Sequence, residues 1–186
     1  MAQNIEIKAR ATDFASQLKL AGQISDKALV TLVQIDTFFK VADGRLKLRE
    51  FSDGLSETKA QLIFYRRVNT SGPKLSEYHI TETDDAAGLK SVLQKAYGIR
   101  QVVKKVRSLY MVGRTRLHFD AVENLGDFIE LEVVLDEHDS LQGGEAPAEA
   151  RAKAKAEAEA LMQQLNIRAS DLIDVAYVDL LEKLAA

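Results

Sequence analysis

Apolar and polar residues alternate with a period of two along much of the first three quarters of the chain, which is typical of strands with one buried face. Residues 4–8 show this alternation, and Asp43-Gly44 marks a turn between two later segments. Eight such segments follow one another with mostly short connections, which favours antiparallel pairing. They cover residues 4–8, 31–41, 45–51, 60–68, 75–81, 101–111, 114–120 and 128–135.

Helical segments are fewer. Asp13 is expected to cap a short helix that ends at Gly22, and Asp84-Asp85 is expected to open a second helix that ends at Gly98. The sequence thus combines a sheet with a small number of helices, which is an α+β composition.

The last quarter of the chain differs from the rest because its pattern is helical. An Ala-, Glu- and Lys-rich helix is predicted over 147–165, and Ser170 is predicted to cap a final one. We expect one domain over residues 1–186, with strands and short helices in 1–140 and the C-terminal helices in 145–186. The Gly143-Gly144 pair is the candidate hinge between these two parts.

Composition excludes several classes of protein. The chain has 186 residues, a formal net charge of -3 and no cysteine, so disulfides, thiolate metal sites and a cysteine nucleophile are ruled out. No apolar run reaches the roughly 18 residues of a membrane span, and the first residues do not resemble a secretion signal. We therefore expect a cytoplasmic protein that binds no membrane. The near-balanced charge argues against a nucleic-acid partner.

The charged residues of the strands are arranged in phase. Cations recur two residues apart in several strands, whereas acids concentrate in the first and last strands. These rows are Glu6 and Lys8; Arg45, Lys47 and Arg49; Lys105 and Arg107; Arg114, Arg116, His118 and Asp120; Glu130 and Glu132. Any single row is explained most simply by a solvated face, but the repetition favours a sheet that closes with the rows facing one lumen.

Cations that face each other in a lumen need carboxylates, water or a polyanion between them. A linear triphosphate with a divalent metal ion would suit both kinds of charge. Guanidinium and ammonium groups would bind the phosphate oxygens, and the carboxylates would hold the metal.

The motifs that carry these charges resemble a known family. NIEIK resembles the ExExK motif of the CYTH superfamily, the triphosphate tunnel metalloenzymes. The later motifs stand in the family's order: QIDTFF, GRLKLRE, YRRVNTSGPK, KKVRSLYMVGRTRLHFD and NLGDFIELEVV. The stretch 104–132 and the ending DLIDVAYVDLL are most similar to class IV adenylyl cyclases and their bacterial relatives. The resemblance implies a closed antiparallel β-barrel of about eight strands with helices on its exterior.

The resemblance also implies a site. Its catalytic residues would be Glu6, Glu130 and Glu132, and these would bind Mg2+ or Mn2+ with Asp120 as a further metal ligand. The residues that would bind the triphosphate are Lys8, Lys47, Arg49, Arg66, Lys105, Arg107 and Arg116. The family pattern favours Arg66 over Arg67 as the inward residue, whereas periodicity does not decide between them.

The sequence departs from the motif at Asn4, where the family has its first Glu. An amide oxygen can ligate a hard cation, but it adds no negative charge. Three hypotheses therefore stay open. The first is an adenylyl cyclase acting on ATP, the second is a hydrolase of tripolyphosphate or thiamine triphosphate, and the third is a module that binds a nucleotide or polyphosphate without turnover.

The remaining candidates carry weaker expectations. None of the three histidines has metal-ligand spacing, although His118 stands in phase with Arg116 and Asp120 and would reach a phosphate from there. Tyr65, Tyr78 and Tyr110 are expected in the core, with stacking on a base as the alternative. The helix over 148–160 is expected to be solvated, and its alternative role is a homodimer contact.

Overall fold

The protein forms a closed barrel of eight antiparallel strands, as the computed structural model of residues 2–55, 57–135 and 146–185 shows. The strands are β1 (Ala2–Arg10), β2 (Val30–Phe39), β3 (Arg45–Ser52), β4 (Lys59–Arg67), β5 (Lys74–Thr83), β6 (Ile99–Val112), β7 (Thr115–Val122) and β8 (Gly126–Leu135). Their order around the barrel is β1-β5-β4-β3-β2-β6-β7-β8. The predicted fold is confirmed, while the predicted Gly143-Gly144 hinge lies outside the described residues.

In the described part of the chain, four α-helices surround the barrel: α1 (Phe14–Ile24), α2 (Ala86–Tyr97), α3 (Ala148–Gln164) and α4 (Tyr177–Ala185). Asp13 caps α1 as predicted, because its side chain accepts a hydrogen bond from the Ser16 backbone N–H at 3.2 Å. No helix among the described residues is both long enough and apolar enough to cross a membrane.

The prediction that Gly22 ends α1 is wrong, because the helix continues to Ile24. A Cβ atom on Gly22 would lie 3.0 Å from the Tyr110 hydroxyl of β6. Glycine at this position therefore lets the helix approach the barrel closely and does not act as a helix terminator.

The prediction of a helix capped by Ser170 is also wrong. Residues Ala169–Asp171 form a single 3-10 turn, and residues 172–176, between this turn and α4, are not helical. The Ile173 N–H donates to the Lys8 carbonyl oxygen at 2.9 Å, and Leu172 forms an isolated bridge with Ala9. Pairing with β1 therefore overrides the local helical pattern in this segment.

The outward faces of the strands form the apolar core. Ile7, Leu117 and Leu131 are almost fully buried and pack against Leu161 and Leu165 at the end of α3. Alternate residues of a strand point to opposite faces. Because these apolar residues are buried on the outer face of the barrel, under the helices, their polar neighbours point into the lumen. The apolar core thus lies between the barrel and the helices, and the charged side chains lie in the lumen.

The C-terminal segment closes one end of the barrel. Asp179 of α4 accepts hydrogen bonds from Arg45 at 2.8 Å and from Arg100 at 2.7 Å, so the helix is bound to β3 and β6. Arg100 also pairs with Glu182 at 2.6 Å. These ion pairs hold Tyr177, at the start of α4, inside the barrel, where its hydroxyl lies 3.0 Å from Asp120 Oδ2.

Gly44 makes the tight turn between β2 and β3, and this predicts an effect on stability. Its φ is +67°, and a Cβ atom there would lie 2.7 Å from the Phe64 ring. Gly113 has a φ of +54° with nothing within 4 Å of such an atom. We expect Gly44→Ala to cost about 2–4 kcal/mol of unfolding free energy in urea and Gly113→Ala about 1–2 kcal/mol, because only the former adds a clash to the backbone strain. Equal costs would contradict this account of the turn.

Candidate active site

The lumen of the barrel is lined by charge of both signs. It contains a cavity of about 130 Å³, many times the volume that one water molecule needs. Among the described residues, six cationic and four carboxylate side chains line it. They are Lys47, Arg49, Arg67, Lys105, Arg107 and Arg116, with Glu6, Asp36, Glu130 and Glu132. The excess of positive charge suits a polyanionic ligand.

Asp120 organises the cations of β6. Its two carboxylate oxygens accept hydrogen bonds from Arg107 Nε and Nη2, each at 2.6 Å, and Lys105 Nζ lies 3.3 Å from Oδ2. Burial alone would raise the pKa of this carboxyl group, but the charges of Arg107 and Lys105 outweigh burial and hold the pKa well below its usual value. Both oxygens already accept from these groups and from Tyr177. Asp120 thus anchors Arg107 and Lys105, which differs from its predicted role as a metal ligand.

Asp36 holds the cations of β3 in the same way. It accepts from Lys47 Nζ at 2.9 Å and from Arg49 Nε at 2.7 Å. Burial and repulsion from Arg49 lower the pKa of Lys47 to about 7, although Asp36 opposes this shift. Asp36 was not among the site residues predicted from the sequence. The available signal was its position in β2: its neighbours Ile35 and Thr37 point to the opposite face of the strand, which leaves Asp36 on the inward face.

Three carboxylates of β1 and β8 lie together in the lumen, each beside a cation. Glu6 Oε1 is 2.5 Å from Arg67 Nη1, and Glu132 Oε2 is 3.2 Å from Arg116 Nη1. Glu130 has two partners, Lys8 at 2.6 Å and Arg107 at 2.7 Å. Each of these three carboxylates would therefore be close to an anionic ligand bound by the neighbouring cations.

The acids of β8 have a histidine beside them. A possible metal-ligand atom of His118 lies close to one carboxylate oxygen each of Glu130 and Glu132. These three atoms are all within 4.8 Å of one another, a spacing that suits the coordination sphere of a divalent cation. Burial and the charge of Arg107 lower the pKa of His118 to about 4, so its ring is neutral near pH 7 and keeps a free nitrogen lone pair. These donors fit the divalent metal ion that the sequence analysis expects.

One predicted site residue faces away from the lumen. Arg66 is 56% exposed and pairs with Asp43 at 2.7 Å on the outside of the barrel, whereas the 2%-exposed Arg67 points inward to Glu6. The prediction that Arg66 is the inward residue is therefore wrong. Inward positions of β4 alternate through Ile63 and Tyr65 to Arg67, but both faces of this strand are apolar, so its periodicity gives no direction.

The structure brings the other predicted cations together in the barrel. Lys8 reaches the lumen from β1, where its Nζ lies 3.6 Å from the centroid of the Tyr177 ring and beside Glu130. The two cations near strand ends have other partners: Arg45 binds Asp179, and Arg114 binds Glu157 of α3.

Lys74 of β5 is a further buried cation that the sequence analysis missed. Its ammonium group donates to the Thr70 carbonyl oxygen at 3.0 Å. Burial and repulsion from Arg67 lower its pKa to about 8. Lys74 follows Pro73 at the start of a strand, where a single charge gives no alternation to detect.

Part of the cavity wall is apolar. Phe38, Ile63, Tyr65, Tyr78 and Ile80 line it beside the charged groups. Tyr65 and Tyr78, which were expected in the core, thus face the lumen, whereas Tyr110 packs against the core as expected. A cavity lined by both cations and an apolar wall can hold an organic group attached to a polyphosphate.

Tyr177 supports the buried charge network, which predicts an effect of its replacement. Burial and the nearby charge of Asp120 raise the pKa of its hydroxyl well above the usual value, so it stays protonated and donates to Asp120. We expect Tyr177→Phe to lower the free energy of unfolding by about 1–3 kcal/mol, measured by urea denaturation, because it leaves a buried carboxylate with one donor fewer. Tyr97→Phe, at the exposed end of α2, is the control and should change little; an equal loss in both variants would exclude this role.

The fold and the lumen define the class of protein: a closed antiparallel barrel whose interior is a charged tunnel. The family model of the CYTH domain matches residues 2–167, which is nearly the whole chain. The chain therefore belongs to the CYTH domain family. The segment that closes the barrel, including Tyr177, lies beyond the matched residues.

Solved structures share this fold at low sequence identity. A conserved hypothetical protein from Pyrococcus furiosus is 20% identical with a TM-score of 0.77, covering 95% of this chain and 99% of its own. A candidate adenylate cyclase from Vibrio parahaemolyticus is 21% identical with a TM-score of 0.74, covering 96% and 97%. A candidate adenylyl cyclase from Hippeastrum, described as having a dominant triphosphatase activity, is 15% identical with a TM-score of 0.65, covering 98% and 96%. The search of curated proteins gave no match.

Proposed function

We propose that this protein is a divalent-metal-dependent enzyme that converts ATP to cyclic AMP and pyrophosphate in the lumen of the barrel. The observation that carries the proposal is the convergence of cations from β3, β4, β6 and β7 with carboxylates from β1 and β8 on one cavity. Charges of both signs are needed to bind a triphosphate together with a metal ion.

The cations would bind and orient the phosphate chain. Arg49 and Arg107 are each fixed by two hydrogen bonds to a carboxylate, Asp36 and Asp120 respectively, so their guanidinium groups are preorganised for phosphate oxygens. Arg67 and Arg116 would add further contacts from β4 and β7. Because these positions are set before the substrate binds, little reorganisation is needed during the reaction.

The carboxylates would hold the metal ion. Glu130 and Glu132, with Glu6 across from Glu132 in the β1–β8 register, present oxygens to the same part of the lumen. Mg2+ or Mn2+ bound there would neutralise phosphate charge and lower the pKa of the attacking hydroxyl.

In the cyclase reaction the ribose 3'-oxygen bonds to the α-phosphorus as the bridge between the α- and β-phosphates breaks. Pyrophosphate leaves with the bonding electron pair, and the hydroxyl proton passes to the solvent or to the leaving group. The chain contributes orientation and charge, since the reaction needs the 3'-hydroxyl in line with the departing oxygen.

A nucleotide is favoured over inorganic tripolyphosphate by the apolar wall. Tyr78 and Ile80 of β5 lie beside Arg116 around the cavity, where they would contact a base or ribose. The Hippeastrum protein favours the second candidate, hydrolysis of the triphosphate, because it combines this fold with triphosphatase activity.

Product analysis separates these functions. Purified protein is incubated with Mg2+ or Mn2+ and, in separate reactions, ATP, tripolyphosphate or thiamine triphosphate. The proposal predicts cyclic AMP and pyrophosphate from ATP. Orthophosphate as the main product would replace it with the hydrolase. Tight binding without turnover would favour a binding module, for which Asn4 in place of the first motif Glu is the motivating residue.

A further inference from the structure

His118 occupies an unusual position in the lumen. Its side chain is only 5% exposed, and its Nδ1 atom has no hydrogen-bond partner. The same atom lies 3.6 Å from Glu132 Oε1 and 3.9 Å from Glu130 Oε2. A buried polar atom without a partner is unfavourable, so a ligand that satisfies it would remove that penalty.

A direct hydrogen bond does not explain this arrangement. The separations of His118 Nδ1 from the two carboxylate oxygens, 3.6 and 3.9 Å, are longer than an ordinary hydrogen bond. A cation between the three atoms would give Nδ1 the partner that it lacks.

We propose that His118 is a nitrogen ligand of the divalent cation held by Glu130 and Glu132, and that it shifts the preference of the site from Mg2+ toward first-row transition-metal ions. The inference rests on the proposed function for the presence of that cation. It adds a ligand and a selectivity that carboxylates alone would not give, since imidazole suits transition metals better than it suits Mg2+.

The geometry of the strands supports this assignment. His118 is directly opposite Glu130 in the β7–β8 register, and Glu132 is the next inward residue of β8. Donor atoms 3.6–3.9 Å apart need only small side-chain adjustments to coordinate one ion at about 2.0–2.2 Å. The three ligands would thus sit on two adjacent, hydrogen-bonded strands, which hold them more precisely than loops would.

The existing partners of Glu130 are compatible with coordination. Its Oε2 accepts from Arg107 and its Oε1 from Lys8, but a carboxylate offers about four lone-pair positions. One oxygen can therefore accept a hydrogen bond and bind the cation at the same time. Arg107 would remain fixed by Asp120 throughout.

Pulsed electron paramagnetic resonance with Mn2+ tests the proposal directly, because an imidazole ligand gives a 14N coupling to the manganese electron spins. The probe is Mn2+ with bis-methylene tripolyphosphate, an analogue that resists cleavage and contains no nitrogen. We expect a 14N coupling in the wild-type protein and in His79→Gln, whose histidine is exposed on β5, and none in His118→Gln. The ratio of Mn2+ to Mg2+ affinity should also fall about tenfold or more in His118→Gln.

The outcomes separate this inference from the proposed function. A 31P coupling without a 14N coupling in wild-type protein would overturn the role of His118 and leave triphosphate binding supported. A 14N coupling without 31P would support His118 as a ligand and count against the triphosphate. Absence of protein-bound Mn2+ would overturn both. If His118→Gln does not fold, the double variant His79→Gln/His138→Gln with 15N-labelled histidine decides instead, because His118 is then the only histidine of the chain and a 15N signal must come from it.

Discussion

Replacing Glu130 and Glu132 together with Gln is expected to lower metal-dependent turnover by at least about a thousandfold, because a bound metal ion supplies several kcal/mol of transition-state stabilisation. Gln keeps the size of the side chain but removes the charge that holds the cation. Steady-state product formation from ATP with Mn2+ measures the loss.

The same double variant should still bind a triphosphate. Two negative charges leave the lumen, so affinity for tripolyphosphate without metal, measured by calorimetry, should stay the same or rise. Glu157→Gln is the matched control, since Glu157 is also an ion-paired glutamate but contacts Arg114 and Thr115 outside the barrel. Wild-type turnover in the double variant would show that these carboxylates do not hold the catalytic metal.

Arg66 and Arg67 offer an internal comparison for the second large effect. They are adjacent in sequence and lie on opposite faces of β4, the former 56% exposed and the latter 2%. We expect Arg67→Met to weaken triphosphate binding about 10- to 100-fold, because a buried charge-assisted hydrogen bond to phosphate contributes about 1.5–3 kcal/mol. Arg66→Met should change affinity less than about twofold, because exposed ion pairs contribute little.

Calorimetric titration with tripolyphosphate measures both variants, and urea denaturation shows how much of any change comes from folding. Arg67→Met also leaves Glu6 without its 2.5 Å partner, so some loss of stability is expected. Equal affinities in the two variants, or a stronger effect at Arg66, would mean that the face of β4 assigned to the lumen is wrong.

Much of the fold and the cationic lumen follows from periodicity. Charged residues such as Lys47 and Arg49 lie on one face of their strand, and the neighbouring Leu46 and Leu48 lie on the other. Because the leucines must be buried in the apolar core, the charged residues must point the opposite way. Closure of the sheet then brings separate rows together. The resemblance to the CYTH family supplied the same residues by an independent route.

Periodicity fails where both faces of a strand have the same character. In β4, Leu62 and Phe64 alternate with Ile63 and Tyr65, so neither face is marked as buried, and the direction of Arg67 depends on the register with β3 and β5. The extended conformation of Leu172 and Ile173 could not be predicted from the sequence for a related reason. Their local pattern is helical, whereas tertiary pairing with β1 decides their conformation.

Partner choice inside the lumen is likewise a three-dimensional property. The family resemblance implied a metal-ligand role for Asp120, yet the residue binds Arg107 of the neighbouring strand. His118 stands in the same row and has an unpartnered nitrogen beside two acids. Their different surroundings follow from cross-strand distances that one-dimensional spacing does not contain.

We propose that cations from separate strands bind a triphosphate inside the barrel, and a crystal structure with Mn2+ and the bis-methylene analogue of ATP tests this most directly. We expect the phosphate chain in the lumen, with its oxygens within hydrogen-bond distance of Arg49, Arg67 and Arg107. An analogue bound outside the barrel, with the pairs Arg67–Glu6 and Arg107–Glu130 unchanged in the lumen, would contradict it.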